Sequence, residues 1–144
     1  MKSLIKKLLR EGLVNKSRNK LIRLEINEVH KPGEYTHENV KLEDLYVLEK
    51  NMNKAWDIKG GSKTKDPLEV FQMLDNSKFL LDGHHRVCDY IIKSGIIDKE
   101  EILKLEIYSN ILQIPTKNSI EALGAKLFNG YIPFIEWLKK INVY

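Results

Sequence analysis

The sequence predicts one α/β or α+β domain, because segments that alternate apolar and polar residues are interleaved with segments of helical spacing. The length of 144 residues is that of a typical single domain. A hydrophobic fraction of 42% is sufficient for a buried core, so a disordered chain is not expected. Strands and helices should therefore share one core.

The composition also excludes several classes of protein. The single cysteine, Cys88, excludes an internal disulfide framework and a cysteine-only zinc site. No run of about 18 apolar residues is present, so we expect no membrane-spanning segment. The amino-terminal residues lack the unbroken apolar stretch and small-residue cleavage site of a signal peptide. A cytoplasmic protein is the simplest expectation.

The positive charge of the chain is concentrated in its amino-terminal segment. The net charge is +4, yet residues 1–23 hold eight basic residues and one acid, so this segment carries +7 and the remainder −3. An amphipathic helix is predicted over Ser3–Leu13, followed by a polar linker, which sets residues 1–20 apart. This segment could bind DNA, a protein or, least plausibly, an anionic membrane, and a solvated helix face explains it equally well. The basic residues that would contact DNA are Lys6, Lys7, Arg10, Lys16 and Arg18.

The first half of the remaining chain begins with a strand, indicated by alternation, and contains a helix, indicated by leucines three residues apart. A Pro-Gly pair breaks the chain between them. The predicted elements are, in order, a strand over Leu21–Val29, a polar loop over Glu34–Val40, a helix over Lys41–Ala55 and a lysine-flanked loop at Gly60-Gly61-Ser62.

The second half shows two strands around a turn, and then further helices and one strand. Asp75-Asn76-Ser77 has typical turn chemistry, and Asn118 with Glu121 is placed like a capping box. The predicted elements are strands over Pro67–Leu74 and Lys78–Leu81, a helix from the next residues to Gly95, a strand over Leu103–Tyr108, and helices over Ser119–Phe128 and Pro133–Ile141. We expect residues 21–109 to form the domain and residues 110–144 a helical extension packed on it.

The residues with the clearest chemical potential lie where a buried strand leads into a helix, at Asp82-Gly83-His84-His85-Arg86. The first N–H groups of a helix lack intrahelical partners and attract anions. Gly83 would let a phosphate approach the backbone, and the Arg86 guanidinium matches phosphate oxygens. His85 can donate a hydrogen bond or a proton near neutral pH, and Asp82 could cap the helix or hold a metal ion or a His ring. These residues predict a phosphate cradle.

Leu81-Asp82-Gly83-His84-His85-Arg86-Val87 resembles the signature of the ParB/sulfiredoxin superfamily, and the order of elements over residues 21–109 is similar to that of its members. The resemblance implies a small mixed β-sheet with flanking helices. Sulfiredoxins have a catalytic cysteine where His84 stands, so their chemistry is not expected. Chromosome-partitioning ParB proteins carry a Glu-Arg-Arg form. The His-His-Arg form is more similar to ParB-like free serine kinases and to small ParB-like ATPases or nucleases.

The resemblance further implies a nucleotide-binding protein that uses Mg²⁺ for phosphoryl transfer or phosphate-ester hydrolysis. Gly83, His84, His85 and Arg86 would bind the phosphates, and Asp82 and His85 would take part in catalysis. Glu34, with Glu38 as the alternative, would orient a serine hydroxyl or a water molecule. The resemblance does not specify the nucleotide (ATP, ADP or CTP) or the acceptor. A homo-oligomer is compatible with it.

Two alternatives accompany this interpretation. The chain could be a non-catalytic module that binds DNA or protein and keeps the ParB-like fold. His84 and Cys88 have a spacing that suits a metal ion, but no zinc signature accompanies them. We therefore predict no resident metal ligands and expect Cys88 to be a buried, small apolar residue.

Overall fold

The computed structural model describes residues 35–73, 75–113 and 129–141. Within these ranges six strands form one mixed sheet with flanking helices, which confirms the mixed α/β class. Several predictions lie outside the described residues: the basic segment 1–20 with its five proposed DNA contacts, the strand over Leu21–Val29, the proposed base Glu34 and the helix over Ser119–Phe128. None of the helices in the described ranges combines the length and apolar character needed to cross a membrane.

The described elements follow one another closely, and a single 3-10 turn over Leu42–Asp44 separates the first two strands. In chain order they are β1 (Tyr35–Lys41), β2 (Leu45–Leu48), α1 (Glu49–Asp57), β3 (Leu68–Gln72), β4 (Lys78–Asp82), α2 (His84–Ser94), α3 (Lys99–Leu103), β5 (Glu106–Gln113), β6 (Tyr131–Pro133) and α4 (Phe134–Lys140).

The sheet has the strand order β1-β5-β3-β4-β2-β6. The pairs β5–β3 and β4–β2 are parallel, and the other three pairs are antiparallel. The central strands β3 and β4 contribute Leu68, Val70 and Leu80 to the core. Helices α1 and α2 pack against each other. This arrangement places the amino-terminal end of α2 directly after a central strand.

The carboxy-terminal segment is integrated into the core. Trp137 is fully buried, its ring meets Trp56 edge-on at 5.8 Å, and its Nε1 donates a hydrogen bond of 2.9 Å to Asn53 Oδ1. Strand β6 pairs with β2, and β5 continues past residue 109 to Gln113. The expected boundary between residues 109 and 110 therefore falls inside a strand, and the described part of the extension shares the sheet of the domain.

Two predictions for residues 34–55 are wrong. Tyr35–Lys41 is strand β1 and not a loop, because only Val40 on this outer strand is buried and the hydrophobic alternation is hidden among polar residues. The segment predicted as one helix over Lys41–Ala55 contains the 3-10 turn and strand β2 before α1 begins at Glu49. Leu45, Val47 and Leu48 are all buried, and a short apolar run of this kind is compatible with strand and helix alike.

The elements around the motif are confirmed. Strands β3 and β4 pair in an antiparallel hairpin, and the turn contains Asp75 Oδ1 accepting from Ser77 N–H at 2.9 Å. Helix α2 ends at Gly95, which is left-handed with φ of 69°. Later, the strand predicted over Leu103–Tyr108 begins at Glu106, because Lys99–Leu103 form α3, capped by Asp98.

Candidate functional site

The turn from β4 into α2 depends on a glycine. Gly83 is the N-cap of α2 and has φ of 122°, a conformation that side chains disfavour. The residue is buried, and a Cβ atom at this position would collide with the side chain of Leu68 on β3. Close packing against β3 is thus the structural reason for this glycine, and the space expected for a phosphate is occupied by Leu68.

His84, the first residue of α2, points into the core. Only 3% of the residue is exposed, and its Nε2 accepts a hydrogen bond of 3.1 Å from the backbone N–H of Leu48. Burial, reinforced by the neighbouring His85, lowers the pKa of His84 to about 3. The neutral ring therefore ties α2 to the junction of β2 and α1. The expectation that the His84 side chain contacts a phosphate does not agree with this position.

His85 and Arg86 contact backbone carbonyl groups of one neighbouring loop. His85 Nδ1 lies 2.8 Å from the carbonyl oxygen of Gly60, and this nitrogen must donate because a carbonyl can only accept. Arg86 Nη1 donates to the carbonyl oxygens of Asp66 and Pro67, both at 2.6 Å. Arg86 Nη2 also lies 3.1 Å from Asp82 Oδ2. Asp82 therefore pairs with Arg86, and its side chain does not cap α2.

Asp89, which the sequence analysis did not select, holds the same loop from the next turn of α2. Its Oδ1 accepts from Gly61 N–H at 2.9 Å, and its Oδ2 accepts from Ser62 N–H at 2.7 Å. The backbone at Gly60 passes so close to Asp89 that a Cβ atom there would collide with the carboxylate. His85, Arg86 and Asp89 together bind residues 60–67, which we call the lysine loop because it carries Lys63 and Lys65.

The lysine loop forms one wall of an open cleft of about 970 Å³, with α2 and the start of β5 as the other walls. Five basic and three acidic side chains line the cleft. Arg86 and Asp89 are engaged with the lysine loop, so the basic groups at its surface are four exposed lysines. The charged lining residues are Lys63, Lys65, Arg86, Lys93, Lys104, Asp66, Asp89 and Glu106.

The structure therefore brings only part of the predicted site together. Arg86 lines the cleft, Asp82 pairs with it, and His85 supports the lysine loop. Lys93 and Lys104 were not among the predicted site residues. Lys93 lies seven residues after Arg86, which places both on one face of a helix, so its position could have been noticed. Lys104 follows α3 and precedes β5 in the chain, and it lines the cleft because the fold places this segment beside α2.

Glu38, the alternative base, lies on β1 opposite Ser109 and does not line the cleft. In the described ranges no group of three or more His, Cys, Asp or Glu side chains could hold a metal ion. Asp66 and Glu106 are exposed carboxylates of the cleft. Cys88 is buried, as expected, and burial raises the pKa of its thiol to about 12.

Comparisons with protein-family models, with curated proteins and with solved structures give no match to this chain. The fold and the site define a mixed α/β domain with a basic, open cleft beside the Asp-Gly-His-His-Arg motif. Membership of the ParB/sulfiredoxin superfamily stays a prediction from the motif.

Proposed function

We propose that this chain binds a nucleotide in the cleft, with the phosphates against the exposed lysines, and promotes phosphoryl transfer or phosphate-ester hydrolysis as ParB-like enzymes do. The observation that carries this proposal is the convergence of Lys63, Lys65, Lys93 and Lys104 on one open cleft. These lysines come from a loop, from α2 and from the residue after α3. With five basic and three acidic side chains, the lining of the cleft is net positive, which favours a polyphosphate.

The motif has a positioning role in this proposal. His85, Arg86 and Asp89 fix the backbone of the lysine loop through five hydrogen bonds of 2.6–2.9 Å. A loop held in this way presents Lys63 and Lys65 without a further loss of backbone freedom when a ligand binds. Arg86 also lines the cleft, so its guanidinium could contact a phosphate while it keeps its loop contacts.

Asp66 and Glu106 are the cleft carboxylates that suit a Mg²⁺ ion shared with the phosphates of the ligand. When bound, such an ion neutralises charge that develops on the transferred phosphoryl group. The group that would activate the acceptor is Glu34 by resemblance.

The test is isothermal titration calorimetry of the full chain with ATP, ADP and CTP, each in the presence of Mg²⁺. The double variant K93Q/K104Q should weaken binding by about 10- to 100-fold, because two charge-assisted contacts are lost. K50Q/K54Q is the matched control, since both lysines are exposed on α1 and neither lines the cleft. Equal weakening by the two double variants, or no binding of any nucleotide by the unmodified chain, would refute the proposal.

Catalysis is tested separately by product analysis after incubation with each nucleotide, with and without serine. A phosphorylated serine identifies a kinase, and a shortened nucleotide without serine identifies a hydrolase. Recovery of every bound nucleotide unchanged would refute the catalytic part and leave a binding module.

A further inference from the structure

A polar and aromatic surface continues from the cleft onto the outer strands of the sheet. Tyr108 on β5 is 49% exposed and lines the cleft together with Asn39, its partner in the β1–β5 register. The ring of His37 lies nearly parallel to that of Tyr108, at an angle of 18° and a centroid distance of 6.0 Å. We call these three side chains, His37, Asn39 and Tyr108, the aromatic strip.

The strand geometry explains why the aromatic strip is continuous. Residues directly opposite in an antiparallel pair share a face, and side chains two residues apart along a strand share it too. His37 and Asn39 therefore lie on the same face as Tyr108 and Asn110. His37 Nδ1 is hydrogen-bonded to Asn110 Oδ1, which fixes the position of the imidazole beside the tyrosine. The hydrogen bond and the ring contact thus hold the side chains of the strip in place before any ligand binds.

A second exposed tyrosine lies on another wall of the cleft. Tyr90 on α2 is 43% exposed and lines the cleft as Tyr108 does. Lys93 follows it by three residues, which puts the two side chains on one helix face. Each of the two walls therefore carries a tyrosine, and Lys104 lies close in sequence to Tyr108.

We propose that the cleft and the aromatic strip together bind single-stranded nucleic acid, with bases stacked on Tyr108 and Tyr90 and phosphates on the cleft lysines. The phosphate contacts rest on the proposed function, whereas the base contacts are additional. Aromatic side chains beside lysines are the combination that single-strand binding requires, since every base has a face that can stack. Asn39 can donate to and accept from the edge of a base.

The chemistry of the surface favours a single strand over a duplex. In a duplex the base faces are stacked on one another, so Tyr108 and Tyr90 could not reach them, and only the lysines would contribute. A duplex would therefore bind through the lysines and leave the two tyrosine rings without a contact. The proposal therefore predicts a preference for unpaired bases.

The unmodified full chain is tested first, by fluorescence anisotropy with a short fluorescein-labelled DNA strand and with the duplex of the same sequence. The single strand should bind at least about 10-fold more tightly than the duplex, because base stacking is available only to the strand. The logarithm of the affinity should fall with the logarithm of salt concentration with a slope of about −3, as four lysine contacts to a single strand predict. Equal affinity for strand and duplex overturns the proposal.

The substitution Y108T then tests the stacking residue while it keeps a side chain that suits a β-strand. Loss of one base–aromatic stack should weaken strand binding by about 5- to 150-fold. Y108F keeps the ring and should bind like the unmodified chain. I97A is the control, because Ile97 is 64% exposed and does not line the cleft. A melting curve for each variant confirms that it is folded, and Y108T that is folded and binds the strand normally contradicts the inference.

The two proposals fail in different ways. Nucleotide binding without strand binding overturns the present inference and leaves the proposed function intact. Strand binding that K93Q/K104Q abolishes, in a chain that binds no nucleotide, overturns the proposed function alone. Binding of neither overturns both.

Discussion

Replacement of His84 by glutamine tests whether the buried imidazole of His84 stabilises the fold. In the native chain the neutral His84 ring accepts the Leu48 N–H through Nε2, and burial holds its pKa at about 3. Glutamine offers an acceptor oxygen near the position of Nε2 and cannot be protonated in the same range. At neutral pH we expect H84Q to fold and to be less stable by about 1–2 kcal/mol, because the more flexible side chain fills the site less well.

The pH dependence gives the sharper prediction. The pKa of His84 is lowered in the folded state, so below its ordinary value of 6.5 the unfolded chain binds more protons than the folded chain. The stability contributed by the neutral ring is complete above about pH 6.5 and is lost progressively as the pH falls towards 3. The loss is about 1.4 kcal/mol for each pH unit, which amounts to about 2 kcal/mol at about pH 5.

Urea denaturation of the native chain and of H84Q, at several values from about pH 7.5 to about pH 5, measures this difference. The free energy of unfolding of the native chain should approach that of H84Q as the pH falls, since other titrating groups affect both chains equally. Parallel curves over the whole range would refute the assignment of His84 as a buried, neutral acceptor. H37Q provides a control, because His37 is exposed on β1.

Two further substitutions test the loop clamp and the turn into α2. D89N should loosen the lysine loop, because an amide keeps only one of the two acceptor oxygens, so trypsin should cleave after Lys63 several-fold faster while the melting temperature changes little; an unchanged cleavage rate would show that Asp89 does not restrain the loop. G83A should lower the free energy of unfolding by about 2–4 kcal/mol, against about 1 kcal/mol for G95A, because both glycines have positive φ but only Gly83 faces a packed side chain; equal losses in urea denaturation would contradict this reasoning.

The elements that are predictable from the sequence are those with strong local signals. The passage from β4 to α2 combines a buried apolar strand, a glycine that adopts positive φ and a run with helical spacing, and each signal acts within a few residues. The polar strand β1 gave no such signal, because its outer face is exposed and only Val40 is buried. In β2, burial on both faces removed the alternation that distinguishes a strand from a helix.

The roles of the motif residues depended on contacts that no local pattern contains. The sequence shows two adjacent histidines and cannot show that one reaches Leu48, which is 36 residues earlier, while the next contacts Gly60. Side chains at consecutive helical positions point in directions about 100° apart, so neighbours in the sequence serve different surroundings. A phosphate cradle built from both imidazoles at once was therefore the weakest part of the prediction.

The geometry also indicates why the motif and the cleft need each other. The lysine loop begins with Gly60 and Gly61, both at positive φ, and an unrestrained loop of this composition would sample many conformations. Each hydrogen bond from α2 to its backbone removes part of that freedom before any ligand arrives. Asp82 contributes indirectly, because its carboxylate pairs with the Arg86 guanidinium that binds the loop backbone next to Lys65. In the proposed function, the motif therefore acts on phosphate affinity by positioning the lysine loop.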